Sequence, residues 1–365
     1  MRQIKKPLTL LLTLAMMLAL LTGCGGGGET QNTGSGAADP TPSQTQEEQT
    51  GTRTITDLSG NEVVLPEVVE HIAFTSWPAG EAITIMLEKV DILATLSTTN
   101  AGNELIMEFY PQLADLPTTP DISEGNVEEF LAYGVQLVFT DESRREAFEN
   151  AGIAVLVPDT SGPEAIMNTI LMMGEAFGGE SYEKAQTYVE YYQNNLDSLS
   201  QVSSQVPEED RPRVYYAASG LLNTEGSGSI TNSWMEAAGG INVATENGIE
   251  GTFIDIDAET LLNWNPDIII LRDAEFYQQL MDDPVLSALT AVQEGKVYVA
   301  PIGIYNWAVR ASEAAIMPLW AATVISPELF PELDIEQETW DFHNFYYGMD
   351  LSDEQIQQIL HPAGV

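Results

Sequence analysis

The apolar positions of residues 180–200 fall at Tyr182, Ala185, Tyr188, Val189, Tyr192, Leu196 and Leu199. Spacings of three and four put them on one face of an α-helix. The run holds no Gly or Pro, with Gly178-Gly179 breaking the pattern before it and Val206-Pro207 after it. At the helical rise it makes a rod of about 30 Å. On both sides short apolar runs alternate with helical periods. Before the rod, a hairpin is predicted over 53–66, turning at Ser59-Gly60-Asn61, then strands at 70–74, 92–96, 136–140 and 154–157 with helices at 81–87, 104–110 and 126–133, a loop and helix at 141–151, and a segment at 163–177 that leads into the rod. After it come strands at 213–216, 267–271 and 296–300, helices at 230–238, 257–264, 276–282 and 310–325, and a helical tail from Glu336 to about Leu360. Such alternation predicts an α/β fold with mainly parallel sheets covered on both faces. The expected architecture is two Rossmann-like lobes, 52–178 and 207–335, joined by a long rigid interlobe helix at 179–206 and followed by a tail at 336–365, with a ligand cleft between the lobes.

An internal repeat strengthens the two-lobe reading. Residues 126–139, NVEEFLAYGVQLVF, align without a gap with 257–270, DAETLLNWNPDIII. Each copy opens on a good helix N-cap, Asn126 or Asp257, places Glu128 or Glu259 two positions on, and passes a short break into a strand. A first-turn Glu complements the helix dipole. A matched carboxylate on each lobe also suits two-point docking on a basic partner.

Charge sharpens that expectation. The chain carries 55 acidic and 13 basic residues, and three of the bases (Arg2, Lys5, Lys6) precede every acidic residue. Without that leader the net charge is near −45. This argues against nucleic acid and against adsorption to an anionic membrane.

The N-terminus supplies a different membrane attachment. Residues 1–24 place three bases before the apolar run 8–21, too short to span stably, and end on Leu21-Thr22-Gly23-Cys24. This looks like a lipoprotein signal peptide whose lipobox leaves Cys24 lipidated. Cys24 is the only cysteine in the sequence, which excludes a disulfide framework or Cys metal site. Residues 25–51, rich in Gly, Ser, Thr, Gln and Pro, read as a flexible tether. The expected location is the outer face of the cytoplasmic membrane, held by lipid alone.

Together, lipobox, tether, long helix and paired repeat resemble the helical-backbone solute-binding proteins of ABC importers, in the branch that handles iron-siderophores, cobalamin and haem. The segment from Pro301 through Tyr305, Trp307 and Arg310 to Glu313 is similar to that family's last ligand loop. The resemblance covers residues 53 to about 360. It implies a monomer with little hinge motion that delivers a small metal chelate to a permease dimer, whose docking-surface arginines meet Glu128 and Glu259. The Gly134-Val135-Gln136 break departs from the Pro-Asp found at Pro266-Asp267 in the second copy.

Loops beyond the C-terminal ends of parallel strands are where ligands bind such sheets. Those loops nominate Trp77, Pro78, Thr99, Asn100, Arg144, Tyr216, Tyr305, Trp307 and Arg310. Aromatic faces suit a bulky chelate, and a guanidinium clamps anionic oxygens with paired hydrogen bonds. Arg310 has a competing local partner in Glu313, three residues on. Only His71, His343 and His361 are present, without metal-ligand spacing, so no directly bound metal and no cofactor are expected. His-Glu-x-x-His, Gly-x-Ser-x-Gly and phosphate-loop motifs are absent from the sequence. The expected function is a receptor, not an enzyme, for a ferric siderophore first and cobalamin or haem next. The alternatives are an oxyanion such as molybdate or tungstate, and a surface carboxylate-dependent hydrolase.

Overall fold

Two parallel sheets carry the same strand order. In the first half Ile72–Phe74, Leu137–Phe139 and Ala154–Leu156 lie side by side, with Ile72 opposite Leu137 and Leu137 opposite Ala154. A single bridge from Ile72 to Leu93 flanks the outer edge. In the second half the order is Ile241–Asn242, Arg213–Ala217, Ile268–Leu271, Val297–Val299, all parallel. The computed structural model describes residues 51–120 and 125–364. The expected signal peptide with Cys24, and all of the tether but Gly51, lie outside them. Among the described residues no helix is long and apolar enough to cross a membrane. The α/β class and its parallel sheets are as the sequence predicts.

The repeat is physical. The helices Val127–Ala132 and Ala258–Trp264 are N-capped by Asn126 Oδ1 and Asp257 Oδ1. Each leads into the central strand of its sheet. At the break, Gly134 (φ +71°) and Asn265 (φ +40°) occupy the left-handed region at matching positions, which Gly and Asn tolerate best. The departure at Gln136 preserves function by other atoms. Gln136 Oε1 accepts from the Glu70 and His71 N–H groups at 2.7 and 3.3 Å, as Asp267 Oδ2 accepts from Arg213 N–H at 2.8 Å. In both halves this side chain pins the start of the neighbouring strand.

The long helix runs Glu180–Ser203, burying Ala185, Tyr188, Tyr192 and Leu199. Each half has an apolar cluster of its own, around Phe130 and Phe148 in the first and around Leu261 and Leu271 in the second. One apolar cluster continues from Ile55 to Leu360, and the helix lies along it. Ser181 Oγ donates to Leu87 O at 3.0 Å, while Tyr188 Oη and Asn195 Nδ2 each donate at 2.8 Å to the carbonyls of Ser312 and Ala315. The helix is therefore fastened to both halves, which resists hinge bending.

Two predicted helices are broken. The segment 310–325 is a 3-10 turn at Ser312–Ala315 followed by the helix Met317–Ile325. Arg310 thus sits in a loop, away from the helical register that would pair it with Glu313. The tail is two helices, Ile335–Tyr347 and Asp353–Leu360, parted at Gly348 (φ +67°) and restarted by a capping box at Ser352.

Candidate functional site

Parallel strands deliver their following loops to one edge of each sheet. After Ile72–Phe74 the chain turns through Ser76 (φ +56°) to Trp77-Pro78 and enters the helix Ala79–Met86. After Ile268–Leu271 come Arg272 and Asp273, and after Val297–Val299 comes the loop carrying Ile304, Tyr305 and Arg310. With Thr99, Asn103 and Phe253 these residues line a cleft of about 440 Å³. Asn103 Nδ2 ties its two sides, donating to Gly303 O at 2.9 Å and Ile304 O at 3.1 Å.

Two guanidinium groups reach this cleft, and each is anchored by one carboxylate. Arg310 Nη2 donates to Glu225 Oε1 at 2.8 Å, with the Glu225 side chain only 3% exposed. Arg272 Nε and Nη2 both meet Asp273 Oδ2 at 2.7 Å. A guanidinium has five N–H donors, so each anchor fixes one edge and leaves others for a ligand. Two larger grooves, of about 560 and 550 Å³, lie along Glu62–Pro66 and beside Val189; both are lined by carboxylates and neither by a cation.

The loop's rear wall is a sealed polar cluster. Glu313 is fully buried; its Oε1 accepts Tyr305 N–H at 3.0 Å and its Oε2 accepts Ser312 Oγ at 3.2 Å. Burial pushes its carboxyl up to about 7. His343, also fully buried, bonds Thr339 O through Nδ1 at 2.8 Å, and burial lowers its imidazole to about 4. His343 Nε2 stands 3.8 Å from Glu313 Oε1, too far for a hydrogen bond, and burial disfavours the charged form of both groups. Gly303 covers the gap; a Cβ there would lie 2.7 Å from His343 Nε2 and 2.8 Å from Glu313 Oε1.

Of the residues nominated from sequence, Trp77, Pro78, Thr99, Tyr305 and Arg310 line the cleft. Asn100 does not: fully buried, it donates through Nδ2 to Glu81 Oε2 and Pro78 O at 2.6 and 2.9 Å, bracing the Trp77-Pro78 loop from behind. Tyr216 and Trp307 are core residues, packed against Trp234 and His343, because the strand and loop turn those side chains inward. Arg144 is not part of the lining. Glu128 and Glu259 are both exposed, as first-turn residues ahead of the capped repeats. Arg272, Asp273, Asn103 and Phe253 were missed. Arg272 directly follows an apolar strand and was open to the rule that found Arg310; Phe253 carried no sequence signal. Among the described residues no group of three His, Cys, Asp or Glu side chains is disposed to hold a metal ion.

The family model described as periplasmic binding protein matches residues 88–302, more than half of the chain. No curated protein matches. Among solved structures, a periplasmic solute-binding protein from Veillonella parvula is 23% identical, with a TM-score of 0.73 over 85% of this chain and 97% of that one. The molybdate-bound periplasmic binding protein MolA of Haemophilus influenzae gives 21% identity and a TM-score of 0.73 over 82% and 99% of the two chains. CeuE of Helicobacter pylori, in a nickel–histidine complex, gives 17% and 0.69 over 85% and 99%. At these identities the likeness is one of fold.

Proposed function

Since the chain belongs to the periplasmic binding protein family, whose members deliver small solutes to ABC permeases, we propose that its cleft captures an anionic metal chelate. The observation that carries this is the convergence of Arg272 and Arg310 with Trp77, Tyr305 and Phe253 on one space. Guanidinium edges suit the oxygens of catecholate, hydroxamate or carboxylate groups, and the aromatic faces suit an organic shell. A volume of about 440 Å³ falls in the range of small-molecule sites. A ferric siderophore is the first choice, with cobalamin and haem after it. The metal arrives already chelated, as cargo. The nickel–histidine complex of the Helicobacter relative supports a chelate reading.

Molybdate or tungstate is the second reading. It is favoured by the same pair of cations and by the fold shared with the molybdate-binding Haemophilus protein. In either case Glu128 and Glu259 supply two exposed carboxylates for a basic permease surface, and a lipidated Cys24 holds the receptor at the membrane's outer face. Titrating intrinsic fluorescence, with Trp77 as the cleft indole, tests the reading. Submicromolar saturation by a ferric siderophore or by molybdate, without turnover, supports it. Product formation, or no response to either class, defeats it. Native mass spectrometry of the protein purified from its own host identifies the cargo.

A further inference from the structure

The short strands Asn223–Thr224 and Ile254–Asp255 pair antiparallel, Thr224 opposite Ile254. One step on, Gly226 N–H donates to Gly251 O at 2.8 Å. Between the paired strands and this contact the chain bends through Gly251, Thr252 and Phe253, and the next bridge, Ser227 to Glu250, is parallel. Phe253 adopts φ +57°, a left-handed conformation that an aromatic residue holds only under outside constraint. The residue is 47% exposed, so core burial does not account for it.

Glu225 and Phe253 converge on one group. Glu225 takes Arg310 Nη2 at 2.8 Å, and the Phe253 ring centroid lies 4.8 Å from Arg310 Cζ. The other cleft lip is strained in the same way: Ser76 and Phe253 are two of only four non-glycine residues with positive φ among the described residues, and both line this cleft. We propose that Phe253 is a positioning residue for Arg310. The ring covers one face of the guanidinium while Glu225 holds one edge, so the remaining N–H groups meet a ligand in plane. Compact oxygen groups are then favoured over flat groups that must stack on the guanidinium. The affinity consequence rests on the cleft being the solute site; the positioning is a property of the free protein.

The test is Phe253→Gly, because Gly accepts φ +57° without strain and removes the ring. In the free protein, the Arg310 side-chain proton resonances, assigned with Arg310→Lys, are expected to lose an aromatic ring-current shift, and the guanidinium to rotate faster. The thermal midpoint should hold or rise. Molybdate and ferric 2,3-dihydroxybenzoate serve as binding probes; whichever binds should do so about ten-fold more weakly, with Phe253→Tyr restoring affinity. Unchanged Arg310 resonances overturn the proposal. Unchanged affinity for a probe that binds the wild type also overturns it. If the wild type binds neither probe, the affinity consequence fails with the proposed function, and the resonance measurement alone decides the positioning.

Discussion

Replacing Glu313 or His343 should unmask two opposite pH dependences of stability that cancel in the wild type. Glu313 is raised from 4.5 to about 7. Between those values the folded protein keeps a proton that the unfolded chain has released. Its contribution is therefore full below pH 4.5 and is lost as pH rises through about 7. His343 is lowered from 6.5 to about 4, so the unfolded chain binds the extra proton between those values. Its contribution is full above pH 6.5 and is lost as pH falls through about 4. Each separation, at about 1.4 kcal/mol per pH unit, is on the order of 3 kcal/mol. From pH 4.5 to 6.5 the slopes have opposite sign and similar size, so together the two groups add almost no pH dependence. Glu313→Gln leaves the imidazole alone: relative to wild type, its stability should climb by about 3 kcal/mol between pH 4 and 7. His343→Gln leaves the acid alone and should decline by a similar amount over that window. Urea unfolding from pH 4 to 8, with each variant subtracted from wild type, removes the background of the other carboxylates. Two difference curves that are flat, or that slope the same way, would refute the opposite shifts of the two buried groups.

Three further outcomes are expected. Arg310→Ala should weaken ligand binding by more than about 1 kcal/mol and also destabilise the fold, because Glu225 is left buried and unpaired; adding Glu225→Gln should recover stability but not affinity, and an unchanged dissociation constant removes Arg310 from the site. Glu128→Lys with Glu259→Lys should leave cargo affinity intact and stop uptake by whole cells, by setting like charges against the permease; normal uptake speaks against docking through these residues. Gly303→Ala should destabilise the protein by about 1–3 kcal/mol in chemical denaturation, since its Cβ would lie 2.7 Å from His343 Nε2; a neutral result would mean the loop relaxes freely.

Part of the candidate cleft was visible in the loops after strand ends. Trp77, Pro78, Thr99, Tyr305 and Arg310 were found by that rule and line one cleft. The rule fails where a side chain's direction matters more than its place. Tyr216 and Trp307 occupy the right segments yet face the core. Asn100 is in the right loop, but its amide is consumed by Glu81 and Pro78. Arg310 does not pair with its competing local partner Glu313, because the chain there is a loop and a 3-10 turn. It gained Glu225, 85 residues away, instead.

What the sequence determined by itself is whatever depends on local periodicity and short spacings. That includes the parallel α/β class, the long helix, and the repeated cap, break and strand of each half. These follow from the twofold period of strands, the 3.6-residue period of helices, and the few residues that end them. The tertiary structure alone decided what depends on contacts between distant segments. It joined the halves through one shared apolar cluster, placed Phe253 over Arg310, and sealed Glu313 beside His343. A charge or a ring acquires its role from its nearest neighbours in space, and no short-range pattern encodes neighbours that lie 30 to 90 residues apart along the chain.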